Sequence, residues 1–366
     1  MGNFILLWLG ILFVGLVIGI GIYIHQPMFG NMPSGERLER IKGSPHYIDG
    51  EFKNLEPATQ IVEGNRFIVL WDFLFGKKEQ LIPQKLIPVE KVDLKAFNKS
   101  EDIIIWLGHS SYYMQLDGKS ILIDPVFSAY ASPISFINKA FDGTNPYTAE
   151  DIPDIDVLLI SHDHWDHLDY STIMSLKPRI NQVVCALGVG AYFEEWGFEK
   201  KQIFEEDWFA EIPLQENFAV YILPAQHFSG RLLKSNQTLW ASFAITTKNH
   251  RVFYSGDGGY GKHFKEIGER FGNFDIAIME NGQYNKAWAR IHMMPEETAQ
   301  AAEDIQAKVL LPAHAGKFAL SKHSWEEPFN RIVEASEGKN YRLITPKLGE
   351  IMEIGNDEQV FTHWWE

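Results

Sequence analysis

The chain has 366 residues and a formal net charge of −15, with 33 Lys+Arg against 48 Asp+Glu. That acidity excludes a nucleic-acid binder, which needs a basic face to neutralise phosphates, and the 45 % hydrophobic content excludes a mainly disordered chain. A single cysteine, Cys185, excludes an intramolecular disulfide and any Cys-rich zinc or iron–sulfur centre, so a bound metal must be held by carboxylates and by some of the 13 histidines.

The first element, from Phe4 to Ile24, carries no charged residue. As a helix it spans roughly 31 Å, enough for a hydrocarbon core of about 30 Å. A cleaved signal peptide would have a basic start, a shorter apolar core and a small-x-small site; here the start is uncharged and residues 25–29 (HQPMF) offer no such site. Leu6 stands where a myristoylation signal has Ser or Thr. The run therefore reads as an uncleaved single-pass membrane anchor. Arg37, Arg40 and Lys42 follow it and nothing basic precedes it, which by the positive-inside rule puts the C-terminal part on the cytoplasmic side. The chain divides into a short N-terminus (1–3), the anchor (4–24), a linker (25–60) and one large domain (61–366).

In that domain short apolar runs alternate with turns and amphipathic segments. Residues 103–107, 120–124, 157–160, 183–184, 219–223, 252–254, 276–278 and 309–311 read as strands, with Asp117-Gly118 as a hairpin turn. Residues 295–307 read as a helix opened by Pro295, Glu296 and Glu297. Mixed elements throughout indicate an α/β (α+β) fold. Five strand runs end in His or Asp: His109, His162, His227, Asp257 and His314. Strand ends entering loops are where a rigid sheet presents groups to one cleft.

Residues 161–167 (SHDHWDH) form an H-x-H-x-D-H motif. In an extended segment His162 and His164 point to the same side and can face one cation. Asp166 and His167, beyond a bend, can address a second. A histidine-rich surface turn is a poor alternative, because four candidate ligands in six residues follow a buried strand. His227, Asp257 and His314 complete a pair of sites: His162, His164 and His227 around one metal, Asp166, His167 and His314 around the other, and Asp257 between them. Imidazole with carboxylate suits zinc, with iron or manganese as alternatives.

This pattern resembles the metallo-β-lactamase superfamily. Residues 124–128 (DPVFS), 131–133, 160–170 (ISHDHWDHLDY), 226–227, 240–242, 255–260 (SGDGGY), 266–275, 295–297 and 313–320 (AHAGKFAL) are similar, more narrowly, to the N-acylphosphatidylethanolamine-hydrolysing phospholipase D group. The resemblance implies a four-layer αββα sandwich and assigns His162, His164, Asp166, His167, His227, Asp257 and His314 as ligands of two zinc ions. It also points to His292 as an active-site residue beside them. Ile291 departs from the Gln of the animal enzyme, Lys317 from a Thr and Asn285 from a Glu, which touches substrate identity more than reaction type.

The expected activity is hydrolysis of a phosphodiester, in a phospholipid of the N-acylphosphatidylethanolamine type, by a hydroxide bridging the two metals. The products would be phosphatidic acid and an N-acylethanolamine. Asp166, Asp257 and His292 are the candidate catalytic residues. A lactonase or small-molecule phosphodiesterase on the same metals is the alternative; a non-catalytic membrane scaffold would have lost ligands, and none is missing. Asp163 and Asp169 read as loop-orienting residues, His109 as a supporting group, Cys185 as core. Residues 130–147, aromatic yet rich in turn formers, read as a loop packed on the core or as a lid and lipid-entry surface.

Overall fold

The computed structural model describes residues 2–58, 71, 80–231 and 234–366. The apolar run is one helix, Gly2–Ile24. None of its most apolar stretch, within Phe4–Ile24, is buried against the rest of the chain, so it is no core helix; its length and composition are those of a membrane span.

Residues 25–58 are folded, where the sequence reading has a linker. A turn at Pro27–Phe29 leads to a helix, Gly35–Gly43, and a hairpin of β1 (Tyr47–Ile48) and β2 (Glu51–Phe52). Ile41 and Phe52 are fully buried in the main core, and Arg37 pairs with Glu194 and Glu205. Two isolated apolar anchors make no periodic signal, which is why the segment reads as unstructured. The expected domain start at residue 61 lies outside the described residues.

Two seven-stranded sheets follow. The first comprises β3 (Ile103–Gly108), β4 (Ser111–Leu116), β5 (Lys119–Ile123), β6 (Ile155–Ile160), β7 (Ile180–Ala186) and β8 (Ile203–Glu206). The second comprises β9 (Glu211–Gln215), β10 (Phe218–Leu223), β11 (Ser242–Thr246), β12 (Arg251–Tyr254), β13 (Ile276–Glu280), β14 (Val309–Ala313) and β15 (Arg342–Leu343). The last strand, β16 (Ile351–Glu353), returns to the first sheet beside β3. The orders are β16-β3-β4-β5-β6-β7-β8 and β15-β14-β13-β12-β11-β10-β9.

Asp117 and Gly118, both with positive φ, make the expected tight turn, but they join β4 to β5. β4, which sequence reading passed over, is buried along its whole length; with Ser111 and Gln115 inside it, it lacks both an apolar run and an alternating pattern. One core cluster joins the facing sheets, with Ile105, Leu159 and Val184 from one and Val220, Ile245 and Ile278 from the other. Each such side chain contributes roughly 1.5–3 kcal/mol by burial. Helices cover the outer faces. Ile173 and Phe193 from Tyr170–Leu176 and Gly190–Glu195 pack on the first sheet's side of this cluster. Phe264, Ala302 and Ile332 from His263–Arg270, Pro295–Asp304 and Glu327–Ser336 form a second cluster with Phe253 and Leu310. The result is the four-layer αββα sandwich.

Parallel pairing of β5 with β6, of β12 with β13 and of β13 with β14 sends their C-terminal ends to one edge in each sheet. Those ends carry the chemistry.

Candidate metal centre

At that edge the backbone is forced into uncommon conformations. His109, Asp124 and His314 each follow a strand and have φ of 54°, 39° and 61°, a left-handed region that costs a residue with a Cβ roughly 1–2 kcal/mol. Three such residues at three strand ends, all turned toward one place, mark a site where local strain is held by its surroundings. Gly256, at φ 58°, meets the same need without a Cβ; one added there would lie 2.6 Å from the Ala241 carbonyl oxygen. Gly256→Ala is therefore expected to lower stability by roughly 2–4 kcal/mol, read as a drop in denaturant midpoint, with the backbone on either side of Asp257 displaced.

Seven residues singled out by sequence converge here. Nδ1 of His164 is 2.9 Å from Nε2 of His162 and 3.2 Å from Nε2 of His227. Oδ2 of Asp257 lies 4.0 Å from each of those Nε2 atoms. Next to this group, Oδ2 of Asp166 is 3.2 Å from Nε2 of His314 and 3.6 Å from Nε2 of His167. Asp257 contacts this second group directly, Oδ2 3.0 Å from His314 Nε2 and Oδ1 3.1 Å from His167 Nε2, while its Oδ2 faces the first. All seven side chains except the half-buried His164 are buried.

The donor set fits a pair of divalent cations. Ligand atoms of a tetrahedral zinc, bonded at about 2.0–2.1 Å, stand about 3.3 Å apart, close to the separations above. His167 Nε2 and Asp257 Oδ1 are buried and face each other, yet neither has a hydrogen-bond partner among the described residues, an arrangement a shared ion resolves. Burial pushes His162, His164 and His227 below the ordinary histidine range, so their lone pairs are free to ligate. Burial acts to raise Asp166 and Asp257, but the histidines around them, His167 foremost, together outweigh it and hold both carboxyls well below their usual range. Burial likewise depresses His314, but Asp257, with Asp166 and Glu280, carries it up to about 10. Ionised carboxylates in a buried cluster draw positive charge, and divalent cations satisfy that demand.

A surrounding layer orients these side chains. Asp124, fully buried, accepts from His167 Nδ1 (2.8 Å), the Ser161 amide (2.9 Å), Ser161 Oγ (2.6 Å) and Tyr254 Oη (2.6 Å), which turns Nε2 of His167 toward the cluster. Glu280 contacts Nδ1 of both His292 and His314 and accepts from the Gly258 amide. Neither acid was a candidate from sequence, although both end apolar strand runs, the signal that flagged the others. His109 Nε2 bonds Asp166 Oδ2 at 2.9 Å; burial and the neighbouring His314 push it down to about 3, so it is neutral. The His227 ring is fixed by Nδ1 donating to the Ile291 carbonyl (2.9 Å). Asp163 accepts from Tyr192, Thr238 and the Gly230 amide, and Asp169 caps the following helix, as loop-orienting residues do. Lys317, buried, donates to the Val126 carbonyl, while Asn285 caps the Lys286–Trp288 turn. Cys185 is buried in the core.

His292 lies beside the cluster, its ring centroid 5.0 Å from that of His227 and 5.3 Å from that of His314. Its Nδ1 is engaged by Glu280.

Residues 119–315 match the family described as β-lactamase superfamily domain. The chain belongs to the metallo-β-lactamase superfamily. It is 36 % identical over 329 residues to an uncharacterized protein of Mycobacterium tuberculosis, spanning 88 % of this chain and 87 % of that one. It is 29 % identical over 289 residues to the N-acyl-phosphatidylethanolamine-hydrolyzing phospholipase D 1 of Caenorhabditis elegans, covering 74 % and 81 % of the two chains. Among solved structures, Igni18, a metallo hydrolase from the archaeon Ignicoccus hospitalis, superposes with a TM-score of 0.53 at 19 % identity, over 69 % of this chain and 97 % of its own; at that identity the likeness speaks for the fold. The chain is a metal-dependent hydrolase of this superfamily.

Proposed function

We propose that this hydrolase is a membrane-anchored, dinuclear zinc phosphodiesterase that cleaves N-acylphosphatidylethanolamine-type phospholipids in the phospholipase D manner. His162, His164 and His227 would hold one ion and Asp166, His167 and His314 the other, with Asp257 placed to serve both. The observation that carries the reading is the place of Asp257 between two adjacent ligand groups, 3.0–3.1 Å from His314 and His167 and 4.0 Å from His162 and His227, in a chain related to a lipid hydrolase of that name. The helix Gly2–Ile24 is the anchor, with the hydrolase on the cytoplasmic side, supported by the basic residues Arg37, Arg40 and Lys42.

Two bound divalent cations supply activation of a water and charge neutralisation on the phosphoryl oxygens. The protein residues do the rest. Asp124 and Glu280 keep the rings of His167 and His314 in one tautomer and one orientation. His292, with Nδ1 held by Glu280, can direct Nε2 at the oxygen of the departing N-acylethanolamine and pass it a proton. The carbonyl of Ile291, and not its side chain, positions His227, so the Ile at this place leaves that contact intact.

The purified full chain in phospholipid vesicles is expected to contain two zinc ions and to release N-acylethanolamine. Chelation should abolish release, and zinc should restore it. Turnover of a lactone or a small cyclic phosphodiester, with none of any phospholipid, would replace this reading by the alternative one; iron or manganese in the protein as purified would revise the metal.

A further inference from the structure

The hydrolase body shows exposed apolar side chains close to where the anchor ends. Residues 130–139 form a stiff loop: Tyr130 pairs with Lys139, the Ala131 amide donates to the Asn138 carbonyl (2.9 Å), and the Ala140 amide donates to the Ala129 carbonyl (2.9 Å). Its tip holds Ile134, Phe136 and Ile137, all exposed, with Phe136 at 82 %. Three large apolar side chains exposed together on an ordered turn form a patch of the kind that marks contact with another surface.

Continuity with the anchor says what. Tyr23, one residue from the end of the helix, donates its hydroxyl to the carbonyl of Pro133, next to Ile134. Tyrosine at a helix end is typical of the lipid–water boundary, so the loop tip starts at that level. The same ring packs edge-on against Phe29 (5.6 Å), and Phe29 against Trp165 (5.2 Å). Trp165 stands between His164 and Asp166, and Arg231 stacks over it at 4.2 Å. The anchor is thus clamped to the metal-binding loop. The base of the apolar loop reaches the site from its other side: Ala131 and Ala140 pack with Val126 and Phe318, and Phe318 lies edge-on to His109 at 5.2 Å.

We propose that Ile134, Phe136 and Ile137 insert into the lipid headgroup–acyl boundary as a second membrane contact, so that anchor and loop together hold the metal edge of the sandwich against the bilayer. This rests on the anchor reading and extends it. Lipid substrate would then reach the metals without leaving the membrane surface.

The single native cysteine is buried, which permits site-specific labelling of the full chain in pure lipid vesicles. A polarity-sensitive fluorophore is placed on Phe136→Cys, on Leu12→Cys within the helix, and on Glu216→Cys, in the turn entering β10 at the end of that strand away from His227. Shallow spin-labelled lipids should quench the label at position 136, with a blue shift, and leave that at 216 untouched. A water-like, unquenched label at 136 with a membrane-buried label at 12 would overturn the loop's role and leave the anchor standing. Water-like labels at both would overturn the anchor as well. In the second arm, Phe136→Asp should slow hydrolysis of vesicle-embedded substrate about tenfold or more and leave a soluble short-chain phosphodiester unaffected. Equal loss on both substrates would point to a structural role and contradict the proposal.

Discussion

Asp257→Asn is expected to remove metal and activity together. The substitution preserves volume and exchanges an anionic oxygen, 3.0 Å from His314 Nε2 on one side and 4.0 Å from His162 and His227 on the other, for a neutral amide. Changes in groups that merely support a metal ligand cost about 10–100-fold in metal affinity or activity; loss of the one carboxylate common to both ligand groups should exceed that range. Elemental analysis should find fewer than two zinc ions per chain, with lipid turnover reduced more than about 100-fold. Two retained ions with turnover near that of the parent would show that Asp257 does not bridge.

The second large effect lies outside the ligand set. Asp124 is not among the seven candidate ligands, yet it accepts four hydrogen bonds in a fully buried setting. Asp124→Ala strands the Ser161 amide and leaves the Tyr254 hydroxyl, the Ser161 hydroxyl and His167 Nδ1 with only their weaker or shared contacts to the Ser110 carbonyl, His162 Nδ1 and Ser161 Oγ; a buried group left without a partner costs about 1–3 kcal/mol. Partial relaxation brings the expected loss to roughly 3–5 kcal/mol in denaturant unfolding, comparable to breaking a buried pair. Zinc affinity should fall about 10–100-fold as the His167 ring loses its orientation. Asp124→Asn, which retains one acceptor oxygen, should recover most of the stability and only part of the zinc affinity. That split separates orientation of His167 from general loss of packing.

Much of the site was legible because its parts sit in one motif or repeat one pattern. His162, His164, Asp166 and His167 are contiguous, and His227, Asp257 and His314 each follow an apolar strand. The same rule, carried further, reaches Asp124 and Glu280, whose strands end in an acid; they were passed over because a carboxylate beside no histidine motif looks like an ordinary turn residue. The left-handed conformations of His109, Asp124 and His314 could not be read, since no glycine announces them; they are imposed by the sheets around them. The mixed α/β layering was legible from the strand runs and the four-layer sandwich from the family resemblance, whereas β4 was hidden by its internal Ser and Gln, and the packed segment before residue 58 by having only Ile41 and Phe52 as deep anchors. The contacts of Tyr23 with Pro133 and Phe29, which tie anchor to loop, are tertiary and leave no trace in local spacing.

The most direct test of the central claim is hydrolysis of N-acylphosphatidylethanolamine vesicles by the zinc-loaded full chain in ¹⁸O-labelled water, with both products weighed by mass spectrometry. Attack on phosphorus breaks the bond between phosphorus and the ethanolamine oxygen and predicts one heavy oxygen in phosphatidic acid, none in the N-acylethanolamine. Label in the N-acylethanolamine, or release of fatty acid in place of these two products, would contradict it.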